Sequence, residues 1–123
     1  EEKKQRVSVI HNNLETNHFI KGEKDYLISW DNAKVDSPIL DLINFYKKEY
    51  FNYNFDVLLK DYLSRYSLND AELKLFFIII SLPPEIKFEN DIFENCKNIR
   101  KDLDYIFKTE ELVRPYYSKQ EKE

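Results

Sequence analysis

The sequence predicts an α+β fold that is mostly helical, with a short β-hairpin region packed on about four helices. Short β-branched segments and turn residues alternate up to Trp30, and apolar residues recur at helical spacing after it. Segregated periodicities of this kind are typical of α+β domains. With 123 residues and 42% hydrophobic content, the chain can bury one core. We therefore expect a single domain or fragment, with strands and a hairpin over 1–36, a helical bundle over 37–109 and a tail over 110–123.

The strands are predicted from short apolar segments that end at polar residues. The β-branched segment 7–10 ends at His11, which is typical of a strand that enters a loop. Segments 19–20 and 26–28 flank Gly22, so they predict a small hairpin whose glycine takes a positive φ. The charged segment 1–6 is expected to be the end of a helix or a linker.

The first two helices are predicted from apolar stripes. Pro38 suits the first turn of a helix over about 38–51, with Asp36 or Ser37 as its cap. Asn54 is placed to cap a second helix over 55–66. The stripe of the first helix is formed by Ile39, Leu42, Ile43, Tyr46 and Tyr50.

The third and fourth helices follow from a cap signal and a long stripe. Asn69 and Glu72 form a variant of the capping box, so we expect the third helix to begin there. Segment 73–82 is apolar nearly all round, which predicts the central element of the core, and a proline pair ends it. The fourth helix carries its stripe over 92–107, where Cys96 is expected to pack as a small hydrophobe.

Composition excludes several classes of protein. The net charge is −4, from 19 basic and 23 acidic residues interspersed along the chain, so a nucleic-acid partner is not expected. The longest apolar run, 75–80, is far shorter than the roughly 20 residues that span a bilayer. Because Cys96 is the single cysteine and no charged-then-apolar leader opens the chain, we expect a cytoplasmic protein. The chain has no methionine, so we expect it to be part of a longer protein.

Three motifs occur in a suggestive order. They are HNNLETNH at 11–18 after a predicted strand, LISWDNA at 27–33 at the end of the hairpin, and DSPILD at 36–41 at the start of a helix. Together they resemble the catalytic half of aminoglycoside phosphotransferases, choline kinases and their bacterial spore-coat relatives. That family has H-x-D-x-x-x-x-N, then an aspartate followed by Trp or Phe and an acid, then D-P-x-x-D. The resemblance covers about residues 7–50 and implies the C-terminal lobe of a protein-kinase-like fold.

Residue by residue, the sequence matches the framework positions of the family but not its catalytic-base and metal-binding positions. His11 falls on the loop histidine, but the catalytic-base aspartate is replaced by Asn13 and the first metal-binding asparagine by His18. The second metal-binding aspartate is replaced by Ser29. An amide does not take a proton, a hydroxyl is a weak Mg²⁺ ligand beside a carboxylate, and imidazole prefers softer metals. No intact catalytic residue is therefore expected.

The resemblance also assigns cofactor and structural positions. His18, Ser29 and Asp31 are the degenerate metal or nucleotide positions, and no cofactor is expected. ATP and Mg²⁺ enter only if Asp31 or Glu15 replaces the lost carboxylate. His11, His18 and Cys96 lack the paired spacing of a structural zinc site, so no metal is expected.

Two further residues have expected structural roles. The resemblance implies that Asp41 braces the catalytic loop, by accepting hydrogen bonds from its backbone or its histidine. The alternative that needs no resemblance is that Asp41 is an exposed acid at the start of a helix, where the helix dipole favours it. Trp30 is expected to anchor the core below the hairpin.

Three functions remain open. The first is a non-catalytic kinase-like module, or pseudokinase, which binds or scaffolds a protein partner, with a possible link to spore coats. The second is an atypical ATP-dependent small-molecule phosphotransferase. The third is an unrelated helical protein-interaction domain. The first two imply a further partner, an N-terminal kinase lobe within the same longer chain.

Overall fold

The computed structural model describes residues 6–85 and 87–120, the last three of these by backbone alone. As predicted, the described chain is α+β and mostly helical, with four α-helices and two small two-stranded sheets. It divides into two compact units, Glu1–Asn54 and Phe55–Glu123. The boundary lies inside the predicted 37–109 bundle, because the first helix is hydrogen-bonded to the loops that precede it.

The first unit contains all the strands. Strand β1 (Ser8–Ile10) pairs antiparallel with β4 (Lys34–Asp36), and β2 (Phe19–Ile20) pairs antiparallel with β3 (Tyr26–Leu27). The β2–β3 hairpin agrees with the prediction. Strand β4 was not predicted, because three residues before a proline are too few to show an alternating pattern.

Two residues other than glycine take left-handed backbone angles. The positive φ expected for Gly22 is wrong, since no described glycine has one. Asn12, with φ 64°, follows β1, and Ser29, with φ 67°, follows β3 and precedes a single 3₁₀ turn (Trp30–Asn32). Such angles cost a residue with a Cβ about 1–2 kcal/mol. Asn12 lies within the motif at 11–18 and Ser29 within the motif at 27–33.

Helix α1 (Ile39–Glu49) buries four of the five residues of the predicted stripe, and the fifth, Tyr50, is the half-buried residue that follows the helix. The buried apolar residues are Ile39, Leu42, Ile43 and Tyr46. The predicted cap is wrong, because the N-cap residue is Pro38 and no side chain caps the helix. Asp36 instead accepts a hydrogen bond from the Ser37 N–H (2.7 Å) at the end of β4.

The second unit consists of α2 (Phe55–Arg65), α3 (Asp70–Ser81) and α4 (Ile92–Gln120). Helix α3 starts as predicted, since the Asn69 side chain accepts the Glu72 N–H at 2.8 Å. It buries Phe76, Phe77 and Ile80. Of the segment 73–82, expected to be the central element of the core, this face is buried, whereas Leu75 and Ile78 on the other side of the helix are exposed.

Helix α4 is longer than predicted. The tail expected from residue 110 is helical as far as Gln120, although Pro115 lies inside the helix. An interior proline costs about 3 kcal/mol, and here burial of Leu112 and Val113 offsets it. Cys96 is exposed, so its expected place in the core is wrong.

Two expectations concern the remaining segments. Residues 1–5, expected to be a helix end or linker, and the last three residues of the expected tail lie outside the described residues. Within the part of the chain described, no helix is both long enough and apolar enough to cross a bilayer.

Candidate functional site

The loop after β1 is held by one carboxylate in the first turn of α1. Asp41 Oδ2 accepts the backbone N–H of His11 at 2.8 Å, and Oδ1 accepts that of Asn12 at 2.7 Å. The two bonds satisfy donors that the fold keeps from water and fix the left-handed backbone of Asn12. Asp41 is therefore not simply an exposed acid at a helix start. It has the contacts that the resemblance implies for a bracing aspartate.

His11 is buried and both of its ring nitrogens are hydrogen-bonded. Its Nε2 lies 2.8 Å from the Ile28 carbonyl, which can only accept, so Nε2 carries a proton. Its Nδ1 accepts the Asn13 N–H at 3.1 Å. This is the bonding of a neutral imidazole in one fixed tautomer. His11 thus ties the loop to the end of the hairpin and has no nitrogen left for proton transfer.

The side chains at the replaced base and metal positions belong to one polar network. Asn13 Oδ1 accepts from Lys48 Nζ at 2.7 Å, and the same ammonium lies 3.3 Å from Glu15 Oε2. His18 Nδ1 is 2.8 Å from the Asn13 carbonyl, and its Nε2 is 3.1 Å from Glu15 Oε1. Glu15 therefore lies between two basic side chains, and the Asn13 amide oxygen is already engaged.

Trp30 lies over the loop and not in a core. Its indole is 47% exposed, so the expectation of a core anchor is wrong. The ring contacts His11 edge-on with centroids 4.6 Å apart, and its N–H donates to the Leu27 carbonyl at 2.7 Å. That hydrogen bond fixes the indole in its place beside the histidine.

The structure brings together only some of the predicted site residues. His11, Asn13 and His18 are linked by hydrogen bonds, and the two histidine rings are 6.1 Å apart. Ser29 follows Ile28, whose carbonyl accepts from His11 and whose N–H donates to the His18 carbonyl at 2.9 Å, but the structure gives Ser29 itself no contact with the cluster. Asp31 is exposed in the adjoining 3₁₀ turn, and the structure gives it no contact with this cluster.

Sequence analysis did not identify two residues of this network, Lys48 and Glu49 at the end of α1. Glu49 is buried, and its carboxylate accepts from the Asn52 side chain and the Thr16 N–H, both at 2.7 Å. These two hydrogen bonds hold the pKa of Glu49 below its ordinary value. A signal was present, since an acid in the last turn opposes the helix dipole and needs a specific partner.

The replaced positions do not fit Mg²⁺. That ion prefers carboxylates in octahedral geometry, whereas residues 13, 18 and 29 offer an amide, an imidazole and a hydroxyl. Across residues 6–85 and 87–120, no group of three or more His, Cys, Asp or Glu side chains is arranged to hold a metal.

Comparison with family models, with curated proteins and with solved structures gives no match to this chain. The kinase resemblance therefore remains a prediction from the motifs, and the site is described by its own contacts.

Proposed function

We propose that this chain is a kinase-like module without phosphotransferase activity, a pseudokinase that binds or scaffolds a protein partner. One observation carries the proposal. The residue at the expected base position is an amide, and its oxygen is bound by the Lys48 ammonium at 2.7 Å. Phosphoryl transfer depends on placed charge, with a carboxylate that orients the attacking hydroxyl and ligands that hold Mg²⁺. Asn13, His18 and Ser29 supply neither.

The retained framework supports a binding role. Asp41 and His11 fix the loop through backbone hydrogen bonds and a single imidazole tautomer, although the chemistry that such a loop would serve is replaced. A rigid loop presents its exposed groups at little entropic cost on binding. Trp30, half exposed above His11, offers the kind of aromatic surface that is enriched at protein interfaces.

The proposal also covers the cellular location of the chain and the longer protein to which it belongs. We place the chain in the cytoplasm, as the lobe that follows an N-terminal kinase lobe within a longer bacterial protein related to the spore-coat members of that family. Nucleic acid is not proposed as a partner, because the net charge of −4 offers no basic surface for phosphates.

The test is a Mg-ATP assay with a restored variant. The longer protein, with the proposed N-terminal lobe attached and this chain unmodified, should transfer no phosphate to alcohol-bearing small molecules, and Mg²⁺ with ATP should not raise its melting temperature beyond ATP alone. The triple change Asn13→Asp, His18→Asn and Ser29→Asp should create a rise that needs both metal and nucleotide. Each single change is the matched control and should give much less, because base and ligands act as a unit.

Two results would decide against the proposal. Turnover by the unmodified protein that is lost in Asp31→Ala but kept in Asp25→Ala would establish the atypical phosphotransferase. Asp31 is the better displaced carboxylate because it is exposed, whereas Glu15 is paired with His18 and Lys48. A triple variant without any metal-dependent rise would refute the kinase resemblance and favour the helical interaction domain.

A further inference from the structure

Four contacts form a closed circuit between the loop after β1 and the end of α1. Lys48 Nζ donates to Asn13 Oδ1 at 2.7 Å and lies 3.3 Å from Glu15 Oε2. His18 Nε2 lies 3.1 Å from Glu15 Oε1, and its Nδ1 lies 2.8 Å from the Asn13 carbonyl oxygen. The contacts therefore return to the residue from which they start, and we call these four residues the loop clamp.

The loop clamp needs one proton for each of its four contacts. All four acceptors are oxygen atoms, namely the side-chain and backbone oxygens of Asn13 and the two carboxylate oxygens of Glu15. The Lys48 ammonium supplies two of the protons, so His18 has to supply the other two. A neutral imidazole carries only one N–H. The contacts of the clamp therefore require the charged, doubly protonated form of His18.

His11 has the opposite arrangement. Its Nε2 faces the Ile28 carbonyl, but its Nδ1 accepts the Asn13 N–H at 3.1 Å, so a single proton satisfies both ring nitrogens. The two imidazole rings lie 6.1 Å apart. Two positive charges at that distance would repel each other. A neutral His11 is therefore the neighbour that a charged His18 needs.

The charges around His18 act in both directions. The Glu15 carboxylate touches the ring and favours its charged form, while the Lys48 ammonium on the other carboxylate oxygen opposes a second positive charge. The side chain of His18 is 17% exposed and that of Glu15 31%, so water screens their contact only in part. Glu49 adds a second attachment of the loop to α1, through the Thr16 N–H at 2.7 Å.

We propose that the loop clamp is a pH-sensitive attachment of the loop to α1, closed while His18 carries two protons and open at Glu15 once the second proton is lost. An imidazole gains or loses that proton between about pH 5 and 8. After the loss, a lone pair of Nε2 faces a carboxylate oxygen, and the contact changes from attractive to repulsive. The Thr16 N–H stays bound to Glu49, so only the clamp opens. The proposal does not depend on the proposed function.

Nitrogen-15 NMR of the full chain counts the protons on the two histidines. At pH 5.5 both ring nitrogens of His18 should have the chemical shift of a protonated nitrogen, whereas His11 should have one protonated and one unprotonated nitrogen. In Glu15→Gln, His18 should lose its second proton at a pH lower by about 0.2–0.7, the range that a partly exposed ion pair produces. Asp31→Asn is the matched control, because it removes the same charge from an exposed residue without contact with the cluster.

Two outcomes of that experiment would overturn the proposal. The first is a His18 ring with one protonated nitrogen at pH 5.5, since the clamp would then lack a proton. The second is an equal change in Glu15→Gln and Asp31→Asn, since the effect would then come from net charge and not from the contact.

Urea denaturation at two pH values tests whether the proton holds the loop. Because the charged form of His18 makes its contacts only in the folded state, His18→Gln should cost more stability at pH 5.5 than at pH 8. The ratio of the unfolding constants of His18→Gln and the unmodified protein should be at least about twofold larger at pH 5.5. In a Glu15→Gln background the same ratio should not change with pH. A ratio independent of pH in the unmodified background, or a change that persists in Glu15→Gln, would overturn the proposal.

Discussion

Replacement of Asp41 by alanine should destabilise the first unit far more than the loss of a helical carboxylate that forms only an exposed ion pair destabilises the protein. Its two oxygens accept the backbone N–H groups of His11 and Asn12 at 2.8 and 2.7 Å. His11 is 2% exposed, so its N–H gains little from water when the carboxylate is lost. The variant leaves two donors without partners and releases the left-handed backbone at Asn12.

The magnitude follows from those two bonds. A hydrogen bond to a charged group contributes about 1.5–3 kcal/mol, and an acid in the first helical turn adds about 0.3–1 kcal/mol through the dipole. Because Asp41 is only partly buried, water recovers some of this loss, and we expect Asp41→Ala to cost about 2–4 kcal/mol. Asp41→Asn should cost roughly half as much, since the amide keeps one acceptor but points its NH₂ at a donor.

Urea denaturation followed by tryptophan fluorescence measures the effect directly. Trp30 is the single tryptophan and lies 4.6 Å from the His11 ring, so its emission reports on the braced loop. The matched control is Asp61→Ala, because Asp61 forms an exposed pair with Arg65 one helical turn later, at 3.4 Å. Such pairs contribute about 0.3–0.5 kcal/mol. A loss below about 1 kcal/mol for Asp41→Ala, or one equal to the control, would refute the bracing role.

Three further predictions concern stability. Ile80→Ala should cost about 2–5 kcal/mol, because Ile80 is fully buried, while Ile78→Ala at a 54% exposed position should cost under about 1 kcal/mol in the same urea assay. Asn69→Ala should cost about 0.5–2 kcal/mol with an unchanged denaturant slope, through loss of the α3 cap; a cost below that range would mean that the cap contributes little. The pKa of Glu49 in the folded protein lies below its ordinary value of 4.5. The charged carboxylate therefore stabilises the folded state above about pH 4.5, and this stabilisation is lost as the pH falls through the lower pKa of the folded state. The stability gap between the unmodified protein and Glu49→Gln should therefore be constant at pH 6–7 and shrink towards pH 3, and a gap independent of pH would contradict this.

The parts of the fold that could be predicted from the sequence are those with local signals. The stripe of α1 has helical spacing and is buried as expected, and the Asn69 cap marks the start of α3 within one residue. Both signals act within about one helical turn, so no knowledge of distant residues is needed.

The parts that could not be predicted depend on partners far along the chain. Strand β4 exists through pairing with β1, in which Val35 lies opposite Val9. Helix α4 continues through Pro115 because contacts with α3, such as the Phe77 and Tyr116 rings at 4.5 Å, outweigh the local penalty. In both cases the stabilising contact comes from a segment more than 20 residues away, so a local stretch of sequence does not show it.

The candidate site also has a part that could be predicted and a part that could not. The unpredicted part affects what would be needed to restore catalysis. The motif positions could be listed from the resemblance, but Lys48 was not among them, although it binds Asn13 at 2.7 Å and Glu15 at 3.3 Å. An aspartate restored at position 13 would meet that ammonium and form an ion pair, which lowers its basicity. The triple variant should therefore gain a metal-dependent rise in melting temperature before it gains turnover. Under the proposed function, the difference from a working phosphotransferase therefore includes Lys48, which lies outside the motif and binds the amide oxygen at the position where a free carboxylate would have to act.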